Sequence, residues 1–99
     1  MNDGGLYRTG YRIRILSGRS AIVHTQTVEW LKQQGVHYHT LTMRPQHDRR
    51  PDYELKGIWL DALRAEEEDI ICVFDDRASV VKMWRRRGLT CLQVAEGES

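Results

Sequence analysis

Apolar positions along the chain switch between a period of two and a helical period, and the switches mark out seven elements. Tyr11, Ile13 and Ile15 alternate with Arg12 and Arg14 and close on Leu16, which predicts a strand over 11–16 ended by the turn formers Ser17-Gly18-Arg19. Val23, Thr27, Trp30 and Leu31 then share one helical face, and Gly35 stops that helix. Alternation returns over Val36–Met43 and predicts a second strand that ends in Arg44-Pro45. After a polar loop, Pro51 suits the first turn of a helix in which Leu55, Ile58, Trp59, Ala62 and Leu63 face one way. Ile70–Phe74 is apolar throughout, rich in β-branched and aromatic residues, and predicts a short strand buried on both faces. Val80, Val81 and Trp84 lie at helical spacing in Ala78–Arg87, where Arg85, Arg86, Arg87 and Gly88 suit a helix end, and Leu89–Val94 predicts a last strand. Before all of these, residues 1–10 are dominated by turn formers such as Asn2-Asp3-Gly4-Gly5. The order βαβαβαβ predicts an α/β class: a parallel sheet of about four strands with helices on both faces.

Length changes this picture little, since 99 residues make one domain, near the small end for an α/β enzyme. A net charge of +1 gives no overall attraction to nucleic acid, but charge is unevenly placed. Arg44, Arg49, Arg50 and Lys56 cluster in the middle, Arg85–Arg87 sit late, and Glu66–Asp69 form an acidic block. Cys72 and Cys91 fall inside apolar runs without Cys-x-x-Cys spacing and read as small buried hydrophobes in a reducing compartment. No apolar stretch approaches the roughly 20 residues of a membrane span and no signal-peptide pattern opens the chain, so a cytoplasmic protein with no membrane partner is expected.

The third strand carries the chemistry. Its apolar run ends in two adjacent carboxylates, Asp75 and Asp76, and carboxyl ends of parallel strands are where α/β sheets bind ligands. One reading makes the pair a site for a hard divalent cation, which takes one or two protein carboxylates and completes its shell with water and substrate phosphate. The other makes Asp76 the N-cap of the next helix. A cap needs one carboxylate and there are two, which favours the cation. Ser17 follows the first strand, Arg44 the second, and Lys56 lies in the first turns of the middle helix, so Ser17, Lys56, Asp75 and Asp76 are expected to converge at one rim. A hydroxyl, a lysine and two carboxylates are what phosphoryl transfer uses. A G-x-x-x-x-G-K-[ST] loop is absent, which argues against nucleoside triphosphate binding of that kind. His37 and His39 alternate on one strand face, a pattern commoner for surface histidines than for a metal pair.

Leu16-Ser17-Gly18-Arg19, Lys56 and Asp75-Asp76 resemble the second, third and fourth motifs of the haloacid dehalogenase (HAD) superfamily of Mg²⁺-dependent phosphohydrolases. Finer features resemble one branch, the phosphatase domain of bacteriophage-type polynucleotide kinase, which removes 3′-phosphates from nucleic-acid ends. They are Ile15-Leu16-Ser17-Gly18-Arg19, Trp30-Leu31, Met43-Arg44-Pro45, Asp48-x-Arg50-Pro51-Asp52-x-x-x-Lys56, Phe74-Asp75-Asp76-Arg77, Val81-x-Met83-Trp84-Arg85 and Gln93-Val94-Ala95. The resemblance implies that Ser17 and Lys56 grip the phosphoryl group and that Asp75 and Asp76 serve Mg²⁺ directly or through water. It implies further that Arg19 and Arg44 contact the substrate phosphate or strand, and that Asp52 orients one of those arginines or Lys56. Each residue also has a plainer reading: Ser17-Gly18 as a turn, Arg44 and Arg50 as a solvated patch, Asp52 as the acidic residue of a helix's first turn.

One departure stands out. The family's first motif, an apolar strand ending in Asp-x-Asp-Gly-Thr that carries the nucleophile and the general acid/base, does not occur in these 99 residues. Asp3-Gly4-Gly5-Leu6 resembles only its end, and that alignment would place the nucleophile at Met1. The missing strand would lie between those ending at Ser17 and Asp75, leaving two edges unpaired. Three expectations follow: a phosphatase part completed by another chain, with the isolated chain inactive and binding Mg²⁺ weakly; a non-catalytic module that binds a phosphorylated nucleic-acid end or small phosphate ester; and a structural remnant that closes its edges within the chain or as a homodimer.

Overall fold

In the computed structural model, residues 10–97 are described. The turn reading of the first nine residues, and the position of Asp3, lie outside them. The chain forms two compact units, one running to Arg49 and one starting at Arg50.

The first unit contains β1 (Arg14–Ser20), a 3₁₀ turn (Ala21–Val23), α1 (His24–Gln33) and β2 (Thr40–Arg44). β1 and β2 pair in parallel from Arg14↔Thr40 to Ser17↔Met43, and the register then shifts before Ser20↔Arg44. Ser20 opens the helical stretch by accepting the Ile22 N–H with its hydroxyl. Thr27 and Leu31 are the buried positions of α1, and the Thr27 hydroxyl is satisfied by the Val23 carbonyl at 2.8 Å. Trp30, expected on the same face, is exposed.

The second unit contains α2 (Asp52–Ala65), β3 (Val73–Arg77), α3 (Ala78–Arg86) and β4 (Cys91–Gly97). β3 and β4 pair in parallel from Val73↔Cys91 to Asp75↔Gln93, with a shift before Arg77↔Gly97. Helix α3 packs on both strands and α2 packs on α3. Its inner face, Val80, Val81, Met83 and Trp84, joins Leu55, Leu60 and Cys91 in the core. Gly57 is buried in α2, and a Cβ there would meet Arg87 at 3.5 Å and Met83 at 3.9 Å, ordinary van der Waals contact.

The α/β class with parallel strands is as expected, and the four strands pair two and two, each with one edge that meets no strand among the described residues. All four strands begin later than the alternation suggests; β1 reaches past Ser17 and β3 past Asp75 and Asp76, while β2 ends on Arg44. Pro51 stands one residue before α2, with its carbonyl accepting the Glu54 and Leu55 N–H groups. The buried face of α2 is rotated from the expected stripe: Leu55, Gly57 and Leu60 are inside, while Ile58 and Ala62 are exposed. Burial of 70–74 on both faces is also corrected, because Ile71 and Phe74 are exposed. Alternation in β3 turns Phe74 to the face opposite the core, beside its register partner Leu92, while Val73 and Cys91 face α3.

All three α-helices end in the same way. After α1, the Gly35 and Val36 N–H groups return to the Lys32 and Leu31 carbonyls; after α3, those of Gly88 and Leu89 return to Arg85 and Trp84. Each glycine has the positive φ this Schellman motif requires, 70° and 85°. After α2 the Glu67 and Glu68 N–H groups return to Arg64 and Leu63, and Glu67 takes the left-handed position with φ 60°. A glutamate there carries the Cβ clash that glycine avoids and sets a negative charge at the negative end of the helix. Glu67→Gly is therefore expected to raise stability by about 1 kcal/mol in chemical denaturation, and Gly88→Ala to lower it by about the same amount.

Candidate active site at the strand ends

In the second unit the site grows from the end of β3. The Asp75 carboxylate receives donors on both oxygens. Its Oδ1 accepts the backbone N–H groups of Asp76 at 2.8 Å and Arg77 at 3.2 Å. Its Oδ2 accepts the Trp84 indole N–H at 3.1 Å, and the Lys56 ammonium stands 3.5 Å from the same oxygen. Both ends of the Lys56–Asp75 pair are largely buried, with side chains 12% and 9% exposed. The two donated amides explain how β3 passes into α3 without a capping side chain at Arg77, the residue before the helix. Asp75, rather than Asp76, thus performs the turn-closing role proposed for a cap. Asp76 is exposed and its carboxylate meets no donor among the described residues; only its main chain is held, by Gln93 Nε2 donating to its carbonyl at 3.2 Å.

Asp52, at the start of α2, stands 3.2 Å from Arg77 Nη1, so an arginine other than Arg19 and Arg44 is its partner there. Trp84, Gln93 and Arg77 all occur in the motifs quoted for the resemblance. Their contacts were not legible because an indole or amide at helix or strand spacing reads first as packing.

In the first unit the site residues gather around the end of β1. The Ser17 hydroxyl accepts the Arg19 N–H at 3.2 Å where the ladder shifts register, so Ser17-Gly18-Arg19 is an irregular stretch within β1 rather than the turn expected to end it, and the hydroxyl hydrogen stays available to a ligand. Arg44, at the end of β2, donates from Nε to the Gly18 carbonyl at 2.7 Å and from Nη1 to the Asp48 carbonyl at 3.2 Å. It is no solvated patch: it ties the irregular stretch of β1 after Ser17 to the loop after β2. The Arg19 side chain is exposed. His39 is structural on its Nδ1 side, accepting the Ile13 N–H at 2.9 Å.

The late arginines are not a purely solvated helix end either. Arg85 donates twice to the Cys91 carbonyl, at 3.3 and 3.0 Å. Arg87 is bonded to Asp61, and its carbonyl accepts Arg64 Nη2 at 2.7 Å. Cys72 and Cys91 are both free thiols, half-buried and buried respectively. Burial, followed by the charge of Asp75, pushes the Cys91 thiol up; Arg85 opposes this and Cys72 adds to it.

Among the described residues no group of three or more His, Cys, Asp or Glu side chains gathers for a metal, which excludes a closed all-protein cage there. A hard cation completed by water and phosphate asks for less. Asp76 fits as its direct ligand, whereas the oxygens of Asp75 are already engaged by four donors.

A parallel α/β fold that sets a lysine and two carboxylates at the end of a strand defines a HAD-like domain suited to phosphoryl groups. Residues 4–99 match the model of the polynucleotide kinase PNKP phosphatase domain, and the chain belongs to that family. It is 36% identical over 74 residues to a protein of Autographa californica nuclear polyhedrosis virus named as a bifunctional polynucleotide kinase/RNA ligase. Two solved structures of the Pnkp1/Rnl/Hen1 complex, one described as an RNA repair complex, contain a chain 32% identical to this one. They superpose with TM-scores of 0.83 and 0.84 over 98% of its length. The chain spans 11% of the viral protein and 32% and 34% of the two solved chains.

Two measurements test this geometry. Asp75→Ala strips the acceptor from a buried ammonium and a buried indole N–H and is expected to cost about 3 kcal/mol in urea denaturation, whereas Asp76→Ala stays within about 0.5 kcal/mol. A raised folded-state thiol keeps Cys91 neutral where the unfolded chain ionises. Its contribution is therefore whole below the unfolded thiol's range and is lost as pH rises through the folded one. Alkylation at mildly alkaline pH should accordingly modify Cys72 well before Cys91, and the Cys91→Ala variant should lose less stability than the parent on going to high pH.

Proposed function

We propose that this chain is the larger part of a phosphomonoesterase domain that acts on phosphorylated RNA or DNA ends, with the 3′-phosphate as its group. The observation that carries the reading is the Lys56–Asp75 pair at the end of β3, beside the exposed Asp76, in a chain of the polynucleotide kinase phosphatase family. Lys56 supplies positive charge to the phosphoryl oxygens, leaving Asp75 for them when substrate enters. Asp76 holds Mg²⁺, which when bound offsets the charge of the phosphate oxygens. In the first unit, the Ser17 hydroxyl is suited to donate to a phosphoryl oxygen. The exposed Arg19 contacts the nucleic-acid strand, and Arg44 serves by holding the irregular stretch of β1 after Ser17. The names of the relatives, a kinase/RNA ligase and an RNA repair complex, support RNA ends as the substrate and a multi-chain setting for the domain.

The nucleophile is the missing part. The 99 residues contain no Asp-x-Asp, and none of Asp48, Asp52, Asp61 or Asp69 ends an apolar strand. A covalent phosphatase step therefore needs an aspartate from sequence outside them, and the isolated chain is expected to be inactive, since losing a nucleophile removes several orders of magnitude in rate. The same observation favours a second reading, a module that binds the phosphorylated end without cleaving it.

The discriminating measurement is phosphate release from a 3′-phosphorylated oligonucleotide with Mg²⁺, by the chain alone and mixed with a peptide or protein bearing an apolar Asp-x-Asp strand. Turnover only in the mixture, abolished by Asp76→Asn, is the expected result. Turnover by the chain alone, lost in Asp75→Asn, would overturn the assignment of the nucleophile. Oligonucleotide binding without turnover in any mixture would select the binding module, and neither binding nor turnover would leave a structural remnant.

A further inference from the structure

Among the contacts of Asp75, the Trp84 indole differs from the rest. The two backbone amides are fixed by the turn itself, and Lys56 has another task under the proposed function. Trp84 lies on α3, is 3% exposed and points its only polar atom at Asp75 Oδ2. An indole N–H donates and accepts nothing, so once buried it must find an acceptor. Here that acceptor is the oxygen that Lys56 also reaches.

The two donors behave differently. A lysine ammonium on four methylenes can leave for a phosphate oxygen at small cost; an indole with two rotatable bonds, packed in a core, cannot follow. The main chain of Trp84 is fixed too, since its carbonyl accepts the Arg87 and Leu89 N–H groups in the turn that ends α3. The next residue, Arg85, anchors the same turn on β4 through the Cys91 carbonyl.

We infer that Trp84 is a positioning residue, whose indole N–H keeps the Asp75 carboxylate aimed when Lys56 turns from it to a phosphoryl group. The exchange of Lys56 rests on the phosphatase reading; the indole–carboxylate contact does not. Gln93 assists from β4 by holding the Asp76 carbonyl, so α3 holds the Asp75 side chain and β4 holds the main chain of its neighbour.

The test has two arms that fail separately. In the ¹⁵N-labelled 99-residue chain, the Trp84 indole resonance is assigned by its loss in Trp84→Phe. Asp75→Asn should move that resonance upfield and speed its exchange with solvent, while the indole resonances of Trp30 and Trp59 stay in place. A Trp84 resonance indifferent to Asp75→Asn overturns the inference, whatever the activity. In the mixture with an Asp-x-Asp strand, Trp84→Phe should lower kcat by roughly 10- to 100-fold, as loss of an outer-sphere partner does, with KM and the melting midpoint near wild type. A folded Trp84→Phe with full kcat overturns the inference as well. A wild-type mixture without turnover, beside an indole resonance that does move, counts against the phosphatase reading and leaves the indole–carboxylate contact supported.

Discussion

A carboxylate offers about four lone-pair positions, and in Asp75 all of them are spent inside the second unit: two on the backbone that follows it, one on α3, one on α2. This one group closes the strand-to-helix turn, sets where α3 begins and neutralises a largely buried ammonium. It is also why the neighbouring Asp76, with nothing to hold within the domain, is left to face outward. Adjacent identical residues are divided between building and binding by their place on the strand, since alternation turns one inward and the other out.

The first unit repeats this arrangement with other chemistry. Ser17, like Asp75, is the last residue paired before its parallel ladder changes register. There its hydroxyl accepts the N–H two residues on, as Asp75 Oδ1 does. A strand that leaves its ladder exposes amides that need acceptors, and a short oxygen-bearing side chain at the break supplies one. Residues suited to a phosphoryl group thus stand where the backbone itself has a use for them.

Much of this was legible in the chain. Three of the four strands and all three helices sit within a few residues of their periodic signals, and the glycines at 35 and 88 close helices as their type suggests. The displaced features have physical causes. Strands run later than the alternation because parallel pairing with a neighbour, not hydrophobicity alone, decides where a ladder forms. Helix α2 buries Leu55, Gly57 and Leu60 rather than Ile58 and Ala62, because packing against α3, and not the apolar count of its own faces, decides which side turns in. Glu67 could not be read as a helix terminator, since nothing in its chemistry prefers a positive φ. The Trp84–Asp75 bond was hidden for a different reason: the apolar face of α3 accounts fully for a tryptophan at that spacing, and only the direction of one N–H shows the second role.

Among the described residues β1 pairs with β2 and β3 with β4, and this has a kinetic consequence. β1 finds β2 across one helix, and β3 finds β4 across another, so each ladder closes a short chain loop and neither waits for distant segments to meet. Each ladder closes a loop of one crossover rather than of the whole chain, from Arg14 to Thr40 and from Val73 to Cys91, which limits the closure cost that slows parallel topologies. Two small nuclei of this kind would form early, even during synthesis, with one edge of each strand still open while later residues emerge.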